Sequence, residues 1–159
     1  MSDSWEDYMR EYIRNADIPD GFKSDALVFL ASHVPKGRKL FNQRLFREAI
    51  FEYAKEFDRP ISSDADADIV QTAYCFAGEA YKELGEWDNA VTHLQKAHEL
   101  LMQYGIGSGP ECHLAEVYIA QERWDEAIEA CQEVLARVPD GYAKQLLAKA
   151  KKLKQSKRR

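Results

Sequence analysis

The chain has no apolar run near the roughly 18 residues that a membrane span requires, so no membrane role is expected. Its first ten residues are acidic and lack an apolar stretch, which argues against a secretory signal. Three cysteines in 159 residues, Cys75, Cys112 and Cys131, are too few and too irregular for a disulfide framework. A reducing cytoplasm is the expected location. Glycine (8) and proline (5) are scarce and well spaced, which leaves long helices unobstructed. No Ser/His/Asp or Cys/His set has the local signature of a nucleophile and its base, so no catalytic residue and no enzyme activity are expected. Acids are absent from the end of the chain: Gly141 to Arg159 holds eight Lys or Arg and no Asp or Glu. The first thirty residues lean the other way, with seven acids against three bases.

What the chain does have is enough apolar material for a core, at 45% hydrophobic, and a repeated pattern. Phe46, Trp87 and Trp124 each precede an alanine by three positions (Ala49, Ala90, Ala127). A small residue lies twelve before each alanine (Gly37, Gly78, Ala115), and a bulky one nine before (Leu40, Tyr81, Tyr118). A β-branched residue follows directly (Ile50, Val91, Ile128). Such self-similarity is the mark of one supersecondary unit copied and stacked. The spacing between copies is 41 and then 37 residues.

Helical periodicity supplies the rest. Trp5, Tyr8, Met9, Tyr12 and Ile13 make one apolar stripe over residues 4–16, with Ser4 and Asp7 as a capping pair. Pro19-Asp20-Gly21 breaks that helix, and a second is predicted over 22–33, ended or kinked by Pro35. Residues 36–58 read as helical with no glycine near Asn42–Arg44, so one unbroken helix and two shorter ones are both open. Helices follow over 66–84 and 86–104, then 110–122 and 125–137, and a basic helix over 141–154.

The run Gly78-x-x-Tyr81, Gly85-x-Trp87-x-x-Ala90, Leu94-x-x-Ala97 resembles a tetratricopeptide repeat. So do Ala115-x-x-Tyr118 with Trp124-x-x-Ala127, and more weakly Gly37 with Phe46-x-x-Ala49. The resemblance implies an all-α fold, an antiparallel helix-hairpin solenoid of about three repeats in a single domain. Its parts would be a helix at 4–16, a degenerate first repeat at 22–58, repeats at 66–104 and 110–138, and a capping helix at 141–154. Repeats are expected to exceed the usual 34 residues through a longer second helix and the loops at 59–65 and 105–109.

The family implies a non-enzymatic protein-binding module, an adaptor, scaffold or chaperone-like holder, with a peptide in the concave groove. By register, the groove residues are Arg38, Phe41, Asn42, Thr72, Cys75, Phe76, Glu79, Lys82, Cys112, His113, Glu116 and Ile119. One subclass clamps a C-terminal carboxylate with Lys, Arg and Asn. The matching positions here are Val34, Arg38, Phe76, Gly109 and His113, and Arg38 alone carries a suitable charge, which argues against a clamp. Phe41, Phe76, Glu79 and Glu116 favour a peptide with apolar anchors and a basic residue.

Other chemistries are weaker. Cys75, Glu79, Cys112, Glu116 and His113 could ligate zinc, but no Cys-x-x-Cys pair supports it, and no metal or cofactor is expected. Asp64, Asp66 and Asp68 open like a calcium loop whose sixth and twelfth places are then wrong (Ile69 and Cys75). They suit the positive end of a helix instead. Gly105, Gly107 and Gly109 lack the strand and the Lys of a phosphate loop. The basic C-terminal helix makes a nucleic-acid accessory the alternative reading, although no aromatics beyond Tyr142 interleave with the bases. The N-terminal stripe could cap the first repeat, lie in the groove or pair with a second copy.

Overall fold

A computed structural model describes residues 5–158, and of Trp5 its backbone alone. The Ser4 cap and the Trp5 side chain of the predicted stripe lie outside the described residues. Within them the chain forms nine helices and no strand. These are α1 (Trp5–Asn15), α2 (Asp20–Ala31), α3 (Val34–Asn42), α4 (Phe46–Ala54), α5 (Asp64–Glu83), α6 (Trp87–Tyr104), α7 (Glu111–Ala120), α8 (Trp124–Arg137) and α9 (Gly141–Lys157).

Residues 36–58 are two helices, and the reason lies in backbone geometry rather than glycine. Arg44, Gly85 and Glu122, each five residues before a repeated alanine, take φ of 62°, 71° and 60°. The left-handed residue lets two amides turn back onto the helix just ended. Arg44, Gly85 and Glu122 donate to Phe41, Lys82 and Ile119 at 2.8, 2.9 and 3.1 Å. The following residues, Leu45, Glu86 and Arg123, donate to Leu40, Tyr81 and Tyr118 at 3.0, 3.0 and 2.8 Å. The bulky residues of the repeat signature are thus also the carbonyls that close its turn. Only the middle turn uses glycine.

Short turns make each helix an antiparallel neighbour of the next. Three hairpins result, α3–α4, α5–α6 and α7–α8, stacked so that α4 meets α5, α6 meets α7 and α8 meets α9. The first helices and α9 form a continuous inner layer, α3–α5–α7–α9. Close approach within hairpins depends on the small residues. A Cβ on Gly37 would lie 2.4 Å from the Tyr53 ring, and one on Gly78 would lie 2.5 Å from Leu94 Cγ. Where Ala115 replaces glycine, the matching position on the second helix is the smaller Cys131, and both are fully buried in one core. Ala49, Ala90, Ala97 and Ala127 are also sealed. The repeated aromatics are less buried: Trp87 keeps 36% of its surface exposed.

Two departures from the predicted layout shape the inner face. Pro35 opens α3 instead of ending the helix before it, since a first-turn proline has no intrahelical N–H bond to lose. The extra repeat length also lies partly in a first helix, because α5 runs 20 residues, about 30 Å. Its start is capped by Ser63, which accepts from the Asp66 amide, while Arg59 ties Asp66 to Glu56 of the preceding segment. The surplus turns of α5 carry α2, which packs on both α5 and α3, and α1 packs on α2 alone. The N-terminal helix therefore packs on α2 and on neither α3 nor α4. It forms a hairpin leaning over the inner layer.

Candidate functional site

That hairpin turns an open face into a cavity of about 1390 Å³. Its floor is α5, through Asp64, Ala65, Asp68, Thr72 and Phe76. One wall is α3, with Val34, Arg38 and Asn42, and the other is the α1–α2 hairpin, with Met9, Ile13, Phe22 and Phe29. Ile106, Gly107 and Ser108 close the rim. The predicted N-terminal stripe is split by this arrangement. Met9 and Ile13 face the cavity, while Tyr8 and Tyr12 stay exposed at 64% and 60%.

Of the twelve residues expected to line a groove, Arg38, Asn42, Thr72 and Phe76 border this cavity. Glu79, Lys82, His113 and Glu116 instead join Arg38 in a ladder of charges across the inner layer. Arg38 meets Glu79 at 3.0 Å and lies over the rings of Phe41 and Phe76, 4.5 and 4.8 Å from their centroids. Lys82 donates to Glu116 at 2.8 Å and lies 3.0 Å from His113 Nδ1. An ammonium donor there requires Nδ1 to be the unprotonated nitrogen, so the ring proton sits on Nε2, 3.9 Å from Glu79. Burial, seconded by the Lys82 charge, lowers the His113 pKa. Tyr142 of α9 lies near the Glu116 end of the ladder, and burial followed by that carboxylate pushes its phenol up to about 12. Both acids expected to await a basic ligand thus already hold a base.

The remaining predicted residues turn inward. Cys75 is 1% exposed within the core, and burial first, then Glu79, pushes its thiol up to about 12. Cys112 and Ile119 are partly buried against the same core, and burial pushes the Cys112 thiol up to about 11. Such thiols are poor nucleophiles and poor metal ligands at neutral pH. Thr72 is 3% exposed and donates to Asp68 at 3.1 Å.

One residue that sequence reasoning passed over organises the rim. Gln71, fully buried, donates to the Ser108 carbonyl at 2.6 Å and accepts from the Ser108 amide at 2.7 Å. It also donates to the Ala97 carbonyl at 3.1 Å. The loop amide that a phosphate would need is therefore already taken. Gly107 has φ of 127°, and a Cβ there would lie 2.0 Å from Gln71 Oε1, so the clamp requires glycine. The visible signal was a lone amide among Ile69, Val70 and Ala73.

The zinc candidates do not converge, since Cys75 is enclosed in the core. Among the described residues the group with ligand atoms within 4.8 Å of one another is a different one, His98, Glu111 and Glu133. Its imidazole nitrogens face different carboxylates, Nδ1 toward Glu111 at 3.6 Å and Nε2 toward Glu133 at 3.5 Å. Arg137 also binds Glu111. This is an ion network tying α6, α7 and α8 together. On the basic α9, Lys154 pairs with Asp125 and Lys157 with Glu122, so part of its charge fastens the terminal helix to α8 and the turn before it.

Residues 81–150, from the end of α5 into α9, match the family model of the tetratricopeptide repeat. No curated protein matches the chain. No described helix is long and apolar enough to cross a membrane.

Proposed function

We propose, from the match of residues 81–150 to the tetratricopeptide-repeat model and from the protein–protein interaction that such repeats generally mediate, that the chain is a non-enzymatic module holding a segment of another protein in the cavity between the α1–α2 hairpin and the inner layer. The observation that carries this reading is the cavity itself. Its volume of about 1390 Å³ exceeds the roughly 300–1,000 Å³ typical of small-molecule sites. Its walls are mainly apolar side chains, with Phe22 69% exposed at the mouth and Phe76 on the floor. Aromatic anchors of this kind carry a large share of binding energy when a partner covers them.

Affinity capture with the full chain, comparing wild type with Phe76→Ala and with Phe22→Ala, tests the reading. Phe76 also packs edge-on against Tyr53 at 5.9 Å, so its loss can disturb folding, whereas exposed Phe22 can be truncated safely. Partners should be depleted from both variants, by a factor set by about 2 kcal/mol for a hot-spot aromatic. The same proteins recovered at the same level from Phe22→Ala and from a folded Phe76→Ala would overturn it.

A further inference from the structure

The cavity's charges are unevenly placed. The cations stand on the α3 wall, where Lys39 lines the cavity and Arg38 is already paired with Glu79. The edge formed by α2 and the start of α5 holds Asp25, Asp64 and Asp68, and none of the three has an ion-pair partner among the described residues. Asp66, one turn position away, shows the contrast, because it is bonded by Ser62 and Arg59. The positive end of α5 stabilises Asp64 in part. It does little for Asp68, a full turn further on, whose carboxylate accepts a hydrogen bond from the Thr72 hydroxyl at 3.1 Å.

We infer that the segment bound in this cavity is cationic at one end: a peptide with apolar side chains against Met9, Ile13, Phe22 and Phe76, and a Lys or Arg seated among Asp25, Asp64 and Asp68. The inference rests on the cavity being the peptide site. Its basis is charge complementarity at an edge where Asp68 is partly buried and Asp25 and Asp64 are exposed. An unpaired acid beside apolar walls loses hydration without compensation, and an arriving ammonium or guanidinium restores it. Burial pushes the Asp68 carboxyl up, the direction expected of an acid lacking a cation. The ladder acids Glu79 and Glu116 cannot serve this role, because Arg38 and Lys82 already hold them.

A random-peptide display library panned against the immobilised full chain tests this directly. Enriched peptides are synthesised and titrated against wild type and against the triple variant Asp25→Asn, Asp64→Asn, Asp68→Asn. The amides keep shape and hydrogen bonding, and circular dichroism with thermal melting checks that the fold persists. Enriched sequences should combine several apolar residues with a Lys or Arg, and the triple variant should bind them about tenfold more weakly or worse. Raising salt from about 0.1 M to about 1 M should weaken binding to wild type more than to the variant. Enriched peptides without a base, equal affinity in the variant, or an empty selection would each overturn the cationic end. Peptides that lose affinity in Phe22→Ala but not in the Asn variant would overturn the cationic end alone and leave the cavity reading standing. Peptides indifferent to both sets of changes would overturn both.

Discussion

At the scale of single residues, three chemically different side chains, Arg44, Gly85 and Glu122, do the same backbone job. A left-handed conformation costs a residue with a Cβ roughly 1–2 kcal/mol, while glycine enters it freely at the expense of unfolded-state entropy. Arg44 recovers a little by lying over the Phe46 ring at 5.5 Å, and Glu122 pairs with Lys157 at 3.0 Å on the surface. Opposite signs are therefore expected for opposite exchanges. Gly85→Ala should lower stability by about 1 kcal/mol, and Glu122→Gly should raise it by about half that. Urea unfolding midpoints of the two variants check this, and a shift of equal sign in both would contradict the account. The turns show how local chemistry can hide from sequence. A hydrogen-bond pattern fixed by Leu40, Tyr81 and Tyr118 carbonyls does not depend on which side chain occupies the left-handed position. A search for turn glycines therefore finds one of three.

At the scale of elements, the hairpins and their register were legible, because the small-residue and alanine positions are set by helix-to-helix distance. The placement of α1 and α2 was not. An amphipathic stripe states that one face wants burial, but not which surface will meet it, and here Met9 and Ile13 turn to a cavity that α2 creates by resting on the surplus turns of α5. Four of the twelve groove residues border that cavity. Of the other eight, Glu79, Lys82, His113 and Glu116 are drawn into the charge ladder because Arg38 and Lys82 reach across to neighbouring helices, which one-dimensional spacing cannot reveal. Phe41, Cys75, Cys112 and Ile119 pack against the cores. The Gln71 clamp gives this element scale its own test. Gln71→Leu keeps the volume but strips both Ser108 backbone groups of partners, each loss worth about 1–3 kcal/mol locally. Hydrogen exchange at the Ser108 amide should accelerate to loop-like rates while α8 amides stay protected. An unchanged Ser108 rate would show that the clamp does not hold the loop.

At the scale of the whole molecule, the charge ladder runs through α3, α5, α7 and α9, so its protonation state bears on the entire stack. His113 is neutral in the folded chain, with a pKa lowered from the ordinary 6.5, first by burial and then by the Lys82 charge. Below that value the unfolded chain binds a proton that the folded chain resists, so His113 contributes stability above pH 6.5 that is lost as pH falls beneath it. His113→Gln keeps an acceptor for Lys82 and cannot be protonated. Urea midpoints compared at about pH 7.5 and about pH 5.5 should fall less in the variant than in wild type. An identical fall would exclude His113 as the source. The stack also has an asymmetry in time. Translation delivers α2, α3 and α4 before α5, yet Val34, Ala49 and Tyr53 share their core with Ile69, Ala73 and Ala77 of that later helix. The first third of the chain therefore leaves the ribosome with apolar faces that its own residues cannot yet cover. For seconds at typical synthesis rates, this chain is itself in need of a holder.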